Sequence, residues 1–222
     1  MTQTVCIVGV DEAGRGALAG PVVVGACYFP LSHGERVRAC PEPDEGERGS
    51  AFPVIVRDSK TMSPQEREIS FQWITAHCVY GIGMADAMFI DTHGILEATQ
   101  HAIDDAVSMI EKSMKPTYVL MDGRDRFWFN YPNSKIIRGD SSEVCISAAS
   151  IIAKVSRDRM MRDYAKEFPQ YGFEIHKGYG TASHFAAIEK YGLCAIHRRT
   201  FLTKYENKKH TPTCHPEVRR TQ

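Results

Sequence analysis

The sequence predicts a single domain of the α/β or α+β class. Short apolar, β-branched runs that are typical of buried strands occur at 5–10, 22–29, 79–84 and 118–121. Helical patterns lie between them, including an amphipathic segment at 90–112. The 222 residues are enough for one substantial core, and no internal repeat divides the chain. Strands mixed with helices over one core are typical of these two classes.

The first strand candidate leads into two adjacent carboxylates and a glycine-rich turn. Asp11 and Glu12 follow the apolar run, and Gly14-Arg15-Gly16 comes soon after them. Mg²⁺ and Mn²⁺ prefer oxygen ligands, and a glycine-flanked arginine can approach a phosphate closely. The stretch therefore indicates a metal site beside a phosphate-binding turn. Because adjacent strand residues point to opposite faces, the two acids converge only if the strand ends or bends there.

A dinucleotide-binding turn is the main alternative for this stretch. Gly14, Gly16 and Gly20 follow a strand with a related spacing. That motif requires a helix next, whose N-terminus carries the pyrophosphate, whereas Pro21 and a second strand candidate follow here. We therefore reject the dinucleotide-binding interpretation.

The next elements are bounded by clear signals. The second strand, 22–29, lies between two prolines, and the segment 31–52, rich in Pro, Gly and charge, is expected to be an exposed loop or insertion. Residues 63–66 (Ser-Pro-Gln-Glu) form a capping box with proline at the first helical position, which predicts a helix to about residue 77. A third strand is predicted at 79–84.

The second half of the chain continues to alternate between the two types of element. One amphipathic helix is predicted over 90–112, with short strands at 118–121 and 134–138. Small residues in the long helix predicted at 143–166 permit close packing of that helix against a sheet or a ligand. The remaining predictions are that helix at 143–166, a glycine-punctuated loop at 171–181 and a last helix at 183–191, capped by Thr181.

Four acids lie where predicted strands pass into loops, and they are Asp11, Glu12, Asp122 and Asp140. A two-metal site needs carboxylates from different elements, which hold the ions about 3.5–4 Å apart. Each acid alone is also compatible with a turn or a helix cap. Asp158 is an alternative fourth ligand, but it lies far along a predicted helix and suits a pair with Lys154 or Arg162.

Composition and charge set broad limits on function. The chain has neither an apolar run of membrane-spanning length nor a secretory-signal pattern, so action in the cytoplasm and away from membranes is expected. Seven scattered cysteines without a C-x-x-C pair favour reduced thiols over disulfides or structural zinc. The net charge is zero, yet residues 196–222 carry seven Lys or Arg against two acids, which suits either a phosphate backbone or a solvated tail.

Several motifs occur together in one order along the chain. They are Asp-Glu-Ala-Gly-Arg-Gly at 11–16, Asp-Ser-Lys at 58–60, Asp-Gly at 122–123, Gly-Asp at 139–140, Ser-Ala-Ala-Ser-Ile-Ile-Ala-Lys-Val-Ser-Arg-Asp at 147–158, and His-Lys-Gly-Tyr-Gly-Thr at 176–181 followed by His184. This combination resembles the bacterial type 2 ribonuclease H family, ribonuclease HII. The resemblance extends from about residue 5 to about residue 201.

The resemblance implies an α/β, ribonuclease H-like fold, with a central mixed sheet flanked by helices and a helical C-terminal part. It implies hydrolysis of the RNA strand of RNA–DNA hybrids, including at single ribonucleotides in duplex DNA, with Mn²⁺ or Mg²⁺ in a two-metal site. The implied catalytic residues and metal ligands are Asp11, Glu12, Asp122 and Asp140. A monomer is expected, with a catalytic domain at 1–205 and a basic, flexible tail at 206–222.

The resemblance also implies substrate contacts. Gly14, Arg15 and Gly16 are expected to hold the ribonucleotide and its phosphate, and Tyr179 corresponds to a tyrosine that senses the RNA–DNA junction. Glycine amides can reach the 2′-hydroxyl that distinguishes RNA from DNA, and an aromatic ring can stack on a sugar or base. Further candidates for contacts to phosphates or to the DNA strand are Lys60, Ser147, Ser150, Lys154 and Lys177.

Two other functions are compatible with the residues alone. One is a carboxylate–Mg²⁺ phosphoesterase that acts on small phosphate esters. The other is a nucleic-acid-binding module that keeps the fold without turnover. Cleavage of ribonucleotide-containing duplex DNA, with metal or with EDTA, separates these three functions.

Overall fold

The centre of the fold is a mixed five-stranded sheet with the order β3-β2-β1-β4-β5. The computed structural model describes residues 5–29 and 56–203, so the predicted insertion and tail lie outside the described residues. The strands are β1 (Ile7–Ala13), β2 (Val22–Tyr28), β3 (Val79–Ala85), β4 (Tyr118–Asp122) and β5 (Asn133–Ile136). β1 is antiparallel to β2 and parallel to β4, and β4 is parallel to β5. The C-terminal ends of β1, β4 and β5 therefore meet at one end of the sheet.

Helices cover both faces of this sheet. The helices are α1 (Pro64–His77), α2 (Ala87–His93), α3 (Ile95–Glu111), α4 (Gly139–Ser142), α5 (Val144–Glu167), α6 (Phe173–His176) and α7 (Ala182–Tyr191), with a 3₁₀ turn at Pro169–Tyr171. α3 packs on one face with Val8 and Val10, while α1 and α5 cover the other. Gly25 allows the close approach of α5, because a Cβ there would lie 2.3 Å from the Ala149 carbonyl oxygen. These layers confirm the predicted α/β class with a central mixed sheet.

Two predicted helix starts are confirmed by their caps. The Ser63 hydroxyl accepts the Glu66 N–H at 3.2 Å, and the Glu66 carboxylate accepts the Ser63 N–H at 2.7 Å. The Thr181 hydroxyl accepts the His184 N–H at 3.3 Å at the start of α7. Both caps satisfy backbone N–H groups that have no partner inside the helix.

Three boundaries differ from the sequence prediction. The single helix predicted at 90–112 is wrong, because Gly94 adopts a φ of 84° and separates α2 from α3. The strand predicted at 134–138 stops at Ile136, since the backbone turns at Arg138 with a φ of 59°. The loop predicted at 171–181 contains α6.

Two further findings concern the cysteines and the apolar character of the helices. The five cysteines among the described residues (Cys6, Cys27, Cys78, Cys145 and Cys194) are all free thiols. In the same part of the chain, no helix combines the length and the apolar character that crossing a membrane requires.

Candidate active site

Three aspartates converge where β1, β4 and α4 meet. One carboxylate oxygen from each of Asp11, Asp122 and Asp140 lies within 4.8 Å of the other two. Asp11 and Asp140 are buried, and Asp122 is half-buried. The parallel pairing of β1 with β4 brings the first two together. This group could hold a divalent cation, because all its ligand atoms are carboxylate oxygens.

Asp140 is held in place by its neighbours rather than lying in an open loop. It lies in the first turn of α4, where its backbone carbonyl accepts the Ser147 hydroxyl at 2.6 Å. Lys60 Nζ lies 2.7 Å from the Asp140 carboxylate. The preceding residue, Gly139, donates its N–H to the Asp122 carboxylate at 2.8 Å. These contacts tie β4, α4 and α5 around the acid group.

Glu12 lies outside the three-aspartate group. β1 continues to Ala13 and pairs with β2 up to that residue, so Asp11 and Glu12 keep the alternation of a strand. Asp11 interacts with Ser150 of α5, whereas Glu12 Oε1 accepts a hydrogen bond from Arg15 at 3.1 Å. The second oxygen, Oε2 of Glu12, is buried and has no hydrogen-bond partner within the described part of the chain.

Burial makes the charged state of these acids unfavourable. It raises the pKa of Asp11 well above its usual range, with further contributions from Glu12 and Asp122. Burial also raises the pKa of Glu12 and of Asp122, although hydrogen bonds from Arg15 and Gly139 act in the opposite direction. A bound divalent cation would offset the repulsion between these neighbouring carboxylates. The oxygen-only donor set and the unpartnered Glu12 oxygen therefore fit Mg²⁺ or Mn²⁺.

The Gly14-Arg15-Gly16 turn follows β1 directly. Gly14 has a φ of 90°, and a Cβ there would lie 1.9 Å from Arg157 Nε, so no larger residue fits. A Cβ on Gly16 would meet no atom within 4 Å, which leaves open space at this position. Arg15 Nη1 lies 2.6 Å from the carboxylate of Asp125 in addition to its bond with Glu12. The guanidinium is therefore oriented before any substrate arrives.

Two buried arginines hold this turn and the segment that follows it, and neither is among the site residues predicted from the sequence. Arg157 donates to the carbonyls of Pro21, Ala19 and Lys177 at 2.9, 3.1 and 3.0 Å. Arg198 donates to the carbonyls of Gly20 and Arg15 at 2.9 and 2.8 Å. Burial lowers the pKa of Arg198 to about 9. Arg157 lies within the motif at 147–158, but residue type alone does not distinguish a buried arginine from a solvated one.

Tyr179 lies on a segment that is joined to the same turn. The Gly178 carbonyl accepts the N–H groups of Leu18 and Ala19 at 2.8 and 3.2 Å. Tyr179 is 38% exposed, and its ring lies over the Arg157 guanidinium, with 5.3 Å between the guanidinium carbon and the ring centre. The two elements with implied substrate roles therefore form one connected surface.

A chain of hydrogen bonds holds the backbone of Tyr179. The Cys194 N–H donates to Nδ1 of His197 at 2.9 Å, so the proton of His197 is on Nε2, which lies 3.1 Å from Nε2 of His184. His184 then carries its proton on Nδ1 and donates to the Tyr179 carbonyl at 3.0 Å. Burial lowers the pKa of both histidines to about 4. Both are therefore neutral at pH 7.

The other predicted substrate contacts have partners within the protein. Ser147 is fully buried, and the Ser150 hydroxyl lies 2.8 Å from that of Ser59. Lys177 has a φ of 53° and donates its ammonium group to the Glu174 carbonyl. Their contacts with substrate stay predictions, as does that of Lys60, whose side chain is 74% exposed.

Asp158, the alternative fourth ligand, lies outside the acid group. Its carboxylate pairs with Lys154 at 2.8 Å along α5, which confirms the predicted i,i+4 pair. Lys154 is therefore an ion-pair partner in this structure, and its predicted phosphate contact stays a prediction.

Comparisons with known proteins identify the family of this chain. The family model described as Ribonuclease HII matches residues 48–204. Ribonuclease HII of Geotalea uraniireducens (strain Rf4) is 47% identical over 197 residues, which cover 88% of this chain and 82% of that protein. Ribonuclease HII of Geobacter metallireducens (strain ATCC 53774 / DSM 7210 / GS-15) is 45% identical over 196 residues, with coverages of 88% and 83%.

The fold also matches a solved structure of a related enzyme. The crystal structure of ribonuclease H2 from Pyrococcus horikoshii OT3 superposes with a TM-score of 0.68 at 25% sequence identity. The match covers 91% of this chain and 97% of that one. The chain therefore belongs to the ribonuclease HII family and is a ribonuclease H enzyme.

Proposed function

We propose that the chain is a metal-dependent endonuclease that hydrolyses the RNA strand of RNA–DNA hybrids and cleaves at single ribonucleotides embedded in duplex DNA. The observation that carries the proposal is the group of Asp11, Asp122 and Asp140, which lies at the end of the strand that leads into the Gly14–Gly16 turn. Carboxylates that hold cations beside a phosphate-binding turn are suited to phosphodiester hydrolysis.

The proposed cofactor is Mg²⁺ or Mn²⁺ in a two-metal site held by Asp11, Asp122 and Asp140, with Glu12 as a further ligand. When bound, such cations supply Lewis acids that polarise the scissile phosphate and activate water. The unpartnered Oε2 of Glu12 supports the inclusion of this residue. Glu12 would bind a cation on the side of the site near Arg15, because these two residues already share a hydrogen bond.

The protein's own groups bind and orient the substrate in this mechanism. Arg15 contacts a phosphate, and the open position at Gly16 lets a nucleotide approach the backbone N–H groups. A 2′-hydroxyl in that position distinguishes a ribonucleotide from a deoxyribonucleotide. Lys60 is exposed beside Asp140 and can contact a phosphate there. Tyr179 stacks on a neighbouring sugar or base, which selects the junction.

We also propose that the protein acts as a monomer in the cytoplasm, where free thiols such as those of the described cysteines persist. The small-ester phosphoesterase and the inactive binding module are the competing functions. Neither of these two functions requires a turn that recognises a 2′-hydroxyl beside a metal site.

One cleavage assay tests the proposal. The protein is incubated with duplex DNA that contains one ribonucleotide, with Mg²⁺, with Mn²⁺ or with EDTA. The expected result is metal-dependent cleavage beside the ribonucleotide and none in the all-DNA duplex. Binding without cleavage would favour the binding module, and activity only on small phosphate esters would favour the phosphoesterase.

A further inference from the structure

One tryptophan stands out on the segment between β4 and β5, which we name the aromatic loop (residues 123–132). Phe127 of this loop is buried in the core beneath α3, and Phe129 and Tyr131 pack partly against the same core. Trp128 points away from them and is 82% exposed. A large apolar side chain at such exposure often marks a binding surface.

The backbone of Trp128 is fixed although its side chain is exposed. The side-chain amide of Gln100 on α3 accepts the Trp128 N–H at 2.8 Å and donates to the Trp128 carbonyl at 3.0 Å. The neighbouring Phe127 is anchored in the core. A side chain that is presented from an ordered backbone loses less conformational entropy on binding than one on a mobile loop.

The aromatic loop is tied to the proposed substrate site. It begins immediately after Asp122, and its Asp125 lies 2.6 Å from Arg15 Nη1. The Phe127 ring centre is 6.0 Å from the Arg15 guanidinium carbon. Because three residues of chain span at most about 11 Å, the Cα of Trp128 lies within about 11 Å of the Cα of Asp125. Along a duplex, this distance corresponds to about three base-pair steps.

The charged side chains of the aromatic loop itself suit a polyanion. Arg124 and Arg126 are exposed on the same loop, and its acid, Asp125, is engaged by Arg15. Arginines that contact the backbone, together with an aromatic ring that stacks on sugars or bases, form a common nucleic-acid-binding combination.

We propose that Trp128 is a substrate-binding residue that packs its indole against a sugar or base of the ribonucleotide-containing duplex, within a few nucleotides of the phosphate contacted by Arg15. This inference rests on the proposed function, because the duplex is the substrate of that function. Arg124 and Arg126 contact the phosphates on either side of the contacted nucleotide.

The first test measures affinity without cleavage. In an Asp11→Asn background with Mg²⁺, fluorescence anisotropy gives the Kd for a labelled duplex that contains one ribonucleotide. Trp128→Ala should raise this Kd about tenfold or more, while Trp128→Phe should retain most of the affinity. Met88→Ala is the matched control, because Met88 is 75% exposed and lies on α2. An unchanged Kd for Trp128→Ala would overturn the proposal.

The second test uses the tryptophan as its own reporter. The chain has two tryptophans, so Trp73→Phe leaves Trp128 as the sole indole. Titration with the duplex should quench or shift its emission in parallel with the anisotropy change. Binding with unaltered emission would contradict a direct contact.

The outcomes separate this inference from the proposed function. If the unmodified chain cleaves the duplex and Trp128→Ala binds as tightly as its parent, only the role of Trp128 fails. If the chain binds without cleaving and Trp128→Ala weakens binding, only the proposed catalytic function fails. A chain that does not bind the duplex would overturn both.

Discussion

The guanidinium of Arg157 lies 5.3 Å from the ring centre of Tyr179 and donates to the Lys177 carbonyl at 3.0 Å. The same guanidinium donates to the carbonyls of Ala19 and Pro21, which follow the glycine-rich turn. One buried side chain therefore holds both elements with proposed substrate roles in a fixed relative position. Because Arg157 is almost fully buried, we expect it to position these elements rather than to contact substrate itself.

Arg157→Lys should lower kcat/KM on the single-ribonucleotide duplex more than on a continuous hybrid. The reason is that a lysine ammonium group cannot donate hydrogen bonds to all three carbonyls and also stack on the Tyr179 ring as a guanidinium does. We expect a destabilisation of about 2–3 kcal/mol from the unsatisfied carbonyls, measured by urea unfolding. Arg162→Lys on the same helix is the control, since Arg162 is exposed. An unchanged ratio of the two activities would show that Arg157 has only a structural role.

Asp11→Asn should abolish cleavage with either metal while the fold is kept. Removal of a buried charge that is close to Glu12 and Asp122 should leave the metal-free protein at least as stable as its parent. Cleavage assays and thermal unfolding in EDTA measure the two effects. Asp163→Asn, at an exposed position that pairs with Lys166, should change neither. Full activity of Asp11→Asn would refute the metal assignment.

Mg²⁺ or Mn²⁺ should stabilise the protein against heat by binding the folded state alone. At a cation concentration of 100 times Kd, linkage gives about 2.7 kcal/mol, or a rise in Tm of about 5–10 °C for a chain of this length. The rise should disappear in Asp11→Asn and after chelation. A parent whose Tm does not respond to either cation would contradict a preformed metal site.

Gly14→Ala and Gly16→Ala should have contrasting effects. A Cβ at Gly14 meets Arg157 Nε at 1.9 Å in a backbone with positive φ, so Gly14→Ala should destabilise the fold by about 2 kcal/mol. Gly16→Ala should leave stability unchanged, because its Cβ meets open space, and should weaken substrate binding instead. Chemical unfolding and duplex binding measure the two properties, and equal effects of the two variants on both would contradict the proposed roles.

Acid should destabilise the fold through the pair of His184 and His197. Their pKa values fall from 6.5 in the unfolded chain to about 4 in the fold, so the unfolded state binds more protons between these values. The stabilisation from the neutral pair is therefore complete above about pH 6.5 and is lost as the pH falls towards 4, by roughly 3 kcal/mol for one site.

Urea unfolding at several pH values between 7.5 and 4.5 tests this linkage. His197→Asn should reduce the dependence on pH in this range, whereas His93→Asn on α2, where His93 is exposed, should leave it unchanged. Equal slopes in the parent and in His197→Asn would exclude the pair as the cause.

Much of the architecture could be predicted from local sequence signals. The capping box at Ser63 and the β-branched runs predict elements because they depend on residues close together in the chain. The position of acids at the ends of β1 and β4 likewise follows from the order of strands and turns. The break at Gly94 was missed because an amphipathic pattern continues across it, and a single glycine is tolerated in many helices.

The sequence by itself determined most of the element types, the placement of Asp11 and Asp122 near strand ends and, through its motifs, the family. Only the tertiary structure decided that Glu12 diverges from Asp11, that Arg157 is buried beneath a turn about 140 residues earlier in the chain, and that Trp128 alone among the aromatic residues of its loop faces solvent. The physical reason is that these features arise from contacts between distant segments. Local periodicity and residue type do not show which carbonyl a buried guanidinium will donate to, or which aromatic ring will be buried in the core.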